Sequence, residues 1–138
     1  MTAVEHLTDA GLEILDDGEC LRLLGTTPVG RVAVNLGYAV AVLPVNYAVV
    51  GSEILFFTGE GLKLEAVMAA GTVTFEADEI DAEARTGWSV LAVGRADVVD
   101  SWLRARAEAV GLYPWAAGDR PHLVRIRPSF FSGRRILP

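Results

Sequence analysis

GRVAVNLGYAVAVLPVNYAVVGSEILFFT, residues 30–58, is the stretch that decides the fold of this chain. Valine, isoleucine and aromatic residues recur through it, and such residues suit a pleated, half-buried strand. Two glycine-bearing breaks cut it into three runs. Gly30 to Asn35 and Tyr38 to Val49 read as strands joined at Leu36-Gly37 by a tight hairpin, and Gly51-Ser52 turns the chain into a third, Glu53 to Thr58. Pro44 has no N–H to give a strand ladder, so it marks an edge or a bulge, and Asn46 is a polar residue in an otherwise apolar run.

Working outward, the segment before residue 30 predicts a short helix. Asp16 and Asp17 are N-cap types, Glu19 follows in the first turn, Cys20, Leu21, Leu23 and Leu24 supply an apolar face, and Gly25 ends it. After residue 58 come a loop over Gly59–Gly61, a helix over Leu62–Ala70 stopped by Gly71, and an alternating strand over Thr72–Ala77. An acidic loop (Asp78, Glu79, Asp81, Glu83) leads to a long strand over Trp88–Val99 that kinks at Gly94. A helix over Ser101–Val110, a loop over Gly111–Pro121 and a last strand over Leu123–Arg127 complete the pattern. Mainly β, with six strands and two or three short helices, the chain is expected to form one domain over residues 1–138, a small antiparallel barrel capped by helices.

Composition narrows the function classes. At 138 residues the chain can bury roughly two-thirds of its unfolded surface, and 51% of it is apolar. So apolar a composition fits either abundant Ala and Val or surface covered by a second subunit. The longest apolar run, Tyr38–Val50, is interrupted by Pro44 and Asn46, so no membrane helix is expected. The start of the chain carries Glu5 and Asp9 rather than a basic, then apolar, secretory pattern, and Cys20 is the single cysteine; both predict a cytoplasmic protein. A net charge of −6 argues against general nucleic-acid binding. His6 and His122 have no metal-ligand spacing around them, and no metal site is expected.

Four segments are candidates for a binding site. In Phe57-Thr58-Gly59-Glu60-Gly61-Leu62-Lys63 a strand ends and a helix begins, and a helix N-terminus attracts anions through its unpaired N–H groups. Lys63, the only lysine, falls in that first turn: it is either a phosphate ligand beside the Thr58 hydroxyl or a solvated surface residue. Pro44-Val45-Asn46-Tyr47 is either an ordinary edge bulge or backbone left to hydrogen-bond a flat heterocycle. Trp88-Ser89 opens a long strand and either stacks on a ligand or packs in a core or a subunit seam. The basic residues Arg120, His122, Arg125, Arg127, Arg134 and Arg135 receive an anion or pair with the acidic loop. No catalytic acid or base declares itself; Tyr47 is the one candidate.

In order and spacing, these segments resemble the pyridoxamine 5′-phosphate oxidase-like FMN-binding split-barrel family, in particular its short actinobacterial-type members. The resemblance is carried by Glu19–Leu24, Val29–Val32, Pro44–Tyr47, Phe57-Thr58, Gly61–Leu64, Phe75-Glu76, Ile80-Asp81, Gly87–Val90, Gly94, Arg125-Ile126 and Gly133–Arg135. It implies a six-stranded antiparallel split β-barrel that forms a homodimer with FMN at the subunit interface. It also implies a phosphate held by Thr58 and Lys63 beside Phe57 and Leu62, an isoalloxazine bordered by Pro44, Val45 and Asn46, and an approach by Trp88 and Ser89. The implied function is a flavin- or F420-dependent oxidoreductase acting on a small molecule; the alternative is a non-catalytic flavin- or haem-binding or sensing protein. Phe57 stands where the subgroup often carries an arginine, which removes one bidentate phosphate partner and leaves F420 or haem open as the cofactor.

Overall fold

The computed structural model describes residues 11–59, 62–99, 101–113 and 122–138, with side chains at all of these except 62, 63, 70 and 101. Seven strands and three helices follow the order β1 (Leu12–Leu15), α1 (Asp17–Leu24), β2 (Val29–Asn35), β3 (Val40–Val50), β4 (Glu53–Thr58), α2 (Leu62–Ala70), β5 (Thr72–Asp81), β6 (Thr86–Val98), α3 (Ser101–Ala109) and β7 (His122–Ile136). No helix among the described residues is long and apolar enough to cross a membrane.

The local chemistry explains the boundaries. Asp16 caps α1 by accepting from the Glu19 N–H at 2.8 Å, and the Gly25 N–H donates back to the Leu21 and Arg22 carbonyls. Between β2 and β3 the Leu36 N–H donates to the Ala39 carbonyl at 2.8 Å. Gly37 there takes a φ of +94°, which a side chain would strain.

All pairings are antiparallel, and six strands close on themselves in the order β7-β4-β3-β2-β5-β6-β7. β7 is the closing element. One edge pairs with β6 from Val124 to Ile136, while the other pairs first with β4 (Leu123↔Phe57) and later with β1 (Leu15↔Gly133). Inside the ring, Val32, Phe75, Ala92 and Phe56 are fully buried, and α1 and α2 fill it with Leu24 and Val67. α3 lies outside the ring, over Leu55, Phe57 and Leu123.

Three expectations need correction. The acidic segment is strand, not loop, as far as Asp81, because Asp78–Asp81 pair with Ser89–Thr86 at a half-solvated edge. The last strand runs to Ile136 rather than stopping at Arg127: Pro128 is accommodated where the β6–β7 register shifts at Val93/Gly94. β1 is a seventh strand, outside the barrel, which the sequence reading did not contain.

Candidate functional site

β3 changes partner midway. Val40–Asn46 pair with β2, whereas Tyr47–Val50 pair with β4, and the β3–β4 ladder ends at Tyr47↔Phe56. Among the described residues, Val40–Val45 therefore have a strand neighbour on one side only. The Tyr47 N–H donates to the Pro28 carbonyl at 3.0 Å, which fixes the alternation: odd residues of β3 face β2, and even residues face the open side. The edge thus presents the N–H and carbonyl of Val42 and the carbonyl of Pro44. Proline occupies a position where its missing N–H breaks no ladder.

The phosphate candidates lie where β4 leaves this edge. Thr58 is the last residue of β4 and only 4% exposed. Its hydroxyl donates to the Gly59 carbonyl at 3.3 Å. α2 opens at Leu62 with Lys63 second; the side chains of both lie outside the described residues. Phe57 points the opposite way from Thr58, into the cluster beneath α3, with the Arg104 guanidinium 4.9 Å from its ring centre.

The remaining expected residues separate. Val45 is buried in the barrel core, and Pro44 is exposed. The Asn46 side-chain amide donates to the Tyr113 carbonyl at 2.5 Å, tying β3 to the segment that follows α3. Trp88 packs into the barrel interior, while Ser89 faces outward between Asp78 and Arg134. Thr58 pairs with His122 and Trp88 with Arg135, so within one chain they stand at opposite ends of β7, about 40 Å apart along the strand.

A cleft of about 440 Å³ lies against the other side of β3. Its walls are the α1–β2 loop (Thr26, Thr27, Pro28), Asn46 to Val49, and Val110 to Leu112 after α3. The sequence reading placed no site there beyond Asn46 and Tyr47; Thr26-Thr27-Pro28 directly behind the glycine stop of α1 was the available signal. Tyr47 is the only ionisable residue among its described walls. The Tyr47 hydroxyl donates to the Leu24 carbonyl at 2.5 Å, its ring meets Phe75 edge-on, and burial raises its proton affinity. Tyr47 is therefore a buried strut between β3 and α1.

Most of the C-terminal arginines are engaged in ion pairs. Arg125 grips Asp97 at 2.8 Å, with Glu53 at 3.9 Å, and Arg135 is held by Glu13 at 2.9 Å and Glu19 at 2.6 Å. Asp78 of the acidic segment faces Arg31 at 3.6 Å rather than any of them. Arg120 lies outside the described residues.

Comparison with known proteins agrees with this geometry. The profile of the pyridoxamine 5′-phosphate oxidase family matches residues 16–135. An uncharacterized protein of Mycobacterium tuberculosis is 34% identical over 129 residues, 89% of this chain and 84% of its own length. Among solved structures, an FAD-binding protein of Mycobacterium smegmatis is similar at 35% identity and a TM-score of 0.72, covering 89% of this chain and 97% of its own. An FAD-binding protein of Mesorhizobium loti superposes with a TM-score of 0.77 at 25% identity, covering 90% and 97%.

Proposed function

The chain belongs to the pyridoxamine 5′-phosphate oxidase family, and from that premise we propose that it binds a flavin nucleotide, FMN in the first place, and uses it in an oxidoreductase reaction on a small molecule. The observation that carries this reading is the one-sided stretch of β3 from Val40 to Val45, running toward Thr58 and the start of α2. A planar heterocycle with alternating donors and acceptors can complete the missing strand at Val42 and Pro44. Its phosphate would reach the Thr58 hydroxyl, the N-terminal N–H groups of α2 and Lys63. The flavin, when bound, supplies the hydride chemistry; the protein positions the ring, holds the phosphate and excludes water. The FAD-binding structures of similar fold support the class of cofactor.

A homodimer belongs to the same proposal. In a single chain Ser89 lies far along β7 from Thr58, and a second copy packed about a two-fold axis can carry its own Ser89 and Trp88 segment to the first copy's phosphate site.

A second reading, a protein that carries or senses the flavin without turnover, is favoured by Phe57, which packs beneath α3 and offers the phosphate no guanidinium. The deciding experiment is an absorbance spectrum of purified protein, mass spectrometry of what heat releases, and titration of the stripped protein with FMN and FAD. Flavin bands with a released FMN mass are expected, and oxidation of NAD(P)H or of reduced F420 by the loaded protein distinguishes enzyme from carrier. A colourless protein that ignores both nucleotides overturns the flavin reading.

A further inference from the structure

The outer face of the barrel carries two complete rungs that no helix among the described residues covers. One is Val42–Ala33–Thr74–Val93–Phe130, running across β3, β2, β5, β6 and β7; the next is Pro44–Arg31–Glu76–Leu91–Ser132. α1 and α2 pack into the ring's interior and α3 over β4, so Val42 is 63% exposed, Phe130 57% and Leu91 41%. Large side chains left this open on adjoining strands mark an interaction surface.

Charge sits in the middle of that apolar face. The Arg31 guanidinium lies 3.5 Å from Glu76 and 3.6 Å from Asp78, so a single nitrogen, Nη1, holds both carboxyls beside it. Across β6 the neighbours of this pair are Leu91 and Ser89, and the next charge, Arg134, lies one strand further on. From β2 comes Arg31 alone, beside Val29 and Ala33. The patch holds both signs, so it is complementary to itself across a two-fold axis, and it adjoins Pro44 of the open edge and Ser89.

We propose that this face is the seam on which a second copy of the chain docks, and that Glu76 takes up a proton there beside Asp78, making assembly tighten as the pH falls. The inference rests on the homodimer reading and adds its regulation. With everything ionised, two facing patches set four carboxylates against two guanidinium groups; one proton per copy balances them. Already in the single chain, burial, followed by the Asp78 carboxyl, pushes Glu76 up to about 7. Covering the face removes more water and raises its proton affinity further. A group that binds its proton more tightly in the assembled state favours assembly below that range, and the benefit is lost as pH rises through it.

The test is sedimentation equilibrium of the full chain from pH 6.5 to 8.5, on wild type, Glu76→Gln and Val42→Asp. The wild-type dimer is expected to weaken about a hundredfold across that range, the linkage of two protons per dimer (one per copy), each acting over roughly a pH unit. Glu76→Gln should stay dimeric with a Kd constant within about twofold, and Val42→Asp should be monomeric at concentrations where wild type pairs. If dissociation is too tight to follow, subunit exchange between tagged and untagged copies reads the same pH dependence. A dimer indifferent to pH, or a Glu76→Gln profile matching wild type, overturns the proton linkage and leaves the homodimer standing. Unchanged pairing of Val42→Asp places the seam elsewhere and overturns the docking face. A monomer at every pH removes the homodimer reading itself.

Discussion

Gly133 of β7 and Cys20 of α1 approach so closely that a methyl group on the glycine would stand 2.5 Å from the cysteine sulfur and 3.1 Å from Leu15. The helix can seat its apolar face on the barrel only because that strand position has no side chain. Gly133→Ala is therefore expected to destabilise the fold by about 1–3 kcal/mol, as overpacking does. Denaturant unfolding of Gly133→Ala, Cys20→Ala and the double variant should show the second substitution partly relieving the first.

Tyr47→Phe removes the hydroxyl that satisfies the Leu24 carbonyl at the end of α1. Leaving a buried acceptor without its donor costs about 1–2 kcal/mol. Chemical denaturation should show that loss. With Tyr47 a strut between β3 and α1, any turnover the wild type displays should keep its pH profile in this variant.

Lys63→Ala should weaken FMN binding by about tenfold to a hundredfold, the range of a charged hydrogen bond, and Thr58→Val by less. Fluorescence quenching of the titrated flavin measures both. Arg85→Ala, in the turn between β5 and β6, serves as the unaffected control. Equal FMN affinity in wild type and Lys63→Ala would remove the lysine from the phosphate site.

Glu19 bridges Arg22 and Arg135, which hold its carboxyl down to about 2 from the ordinary 4.5. A depressed carboxylate stabilises the fold above its unfolded value, and that contribution drains away as the pH drops from about 4.5 toward 2. Glu19→Gln should flatten this part of the acid unfolding curve while lowering stability at pH 7. Thermal melts at half-unit steps of pH would reveal it.

Cys20 should resist alkylation in the native state. Burial, then the neighbouring carboxylates of Asp17 and Asp16, push its thiol up to about 11, and the thiolate is the reactive form. Labelling at pH 8 should proceed only at the rate of unfolding.

The parts of the fold legible in the sequence were those written locally. Leu36-Gly37 and Gly51-Ser52 announce their turns, and Asp16, Glu19 and Gly25 bracket α1 with its own capping chemistry. What escaped depends on distant partners. Leu12–Leu15 is too short to read as a strand until Arg135 and its neighbours lie beside it. Pro128 reads as a terminator until Gly94 supplies the register shift that admits it. At the site, Pro44 was legible as an edge residue because proline's missing donor is a property of the residue itself. Whether Trp88 faces inward or outward hangs on strand register, which sequence spacing alone does not fix; it packs inside the ring.

β7 also governs how the chain reaches this structure. It follows every other strand in chain order, yet β1, β4 and β6 all wait for it, and Leu12 finds Ile136 only across the whole described length. Such long-range pairing makes folding slow, since the loops must close before the contacts form. During synthesis β4 and β6 are bare edges, and until β7 emerges they are available to the edges of other nascent chains. Chaperone dependence and aggregation on overexpression should accordingly track variants of Leu123 to Ile136 more closely than variants of any other strand.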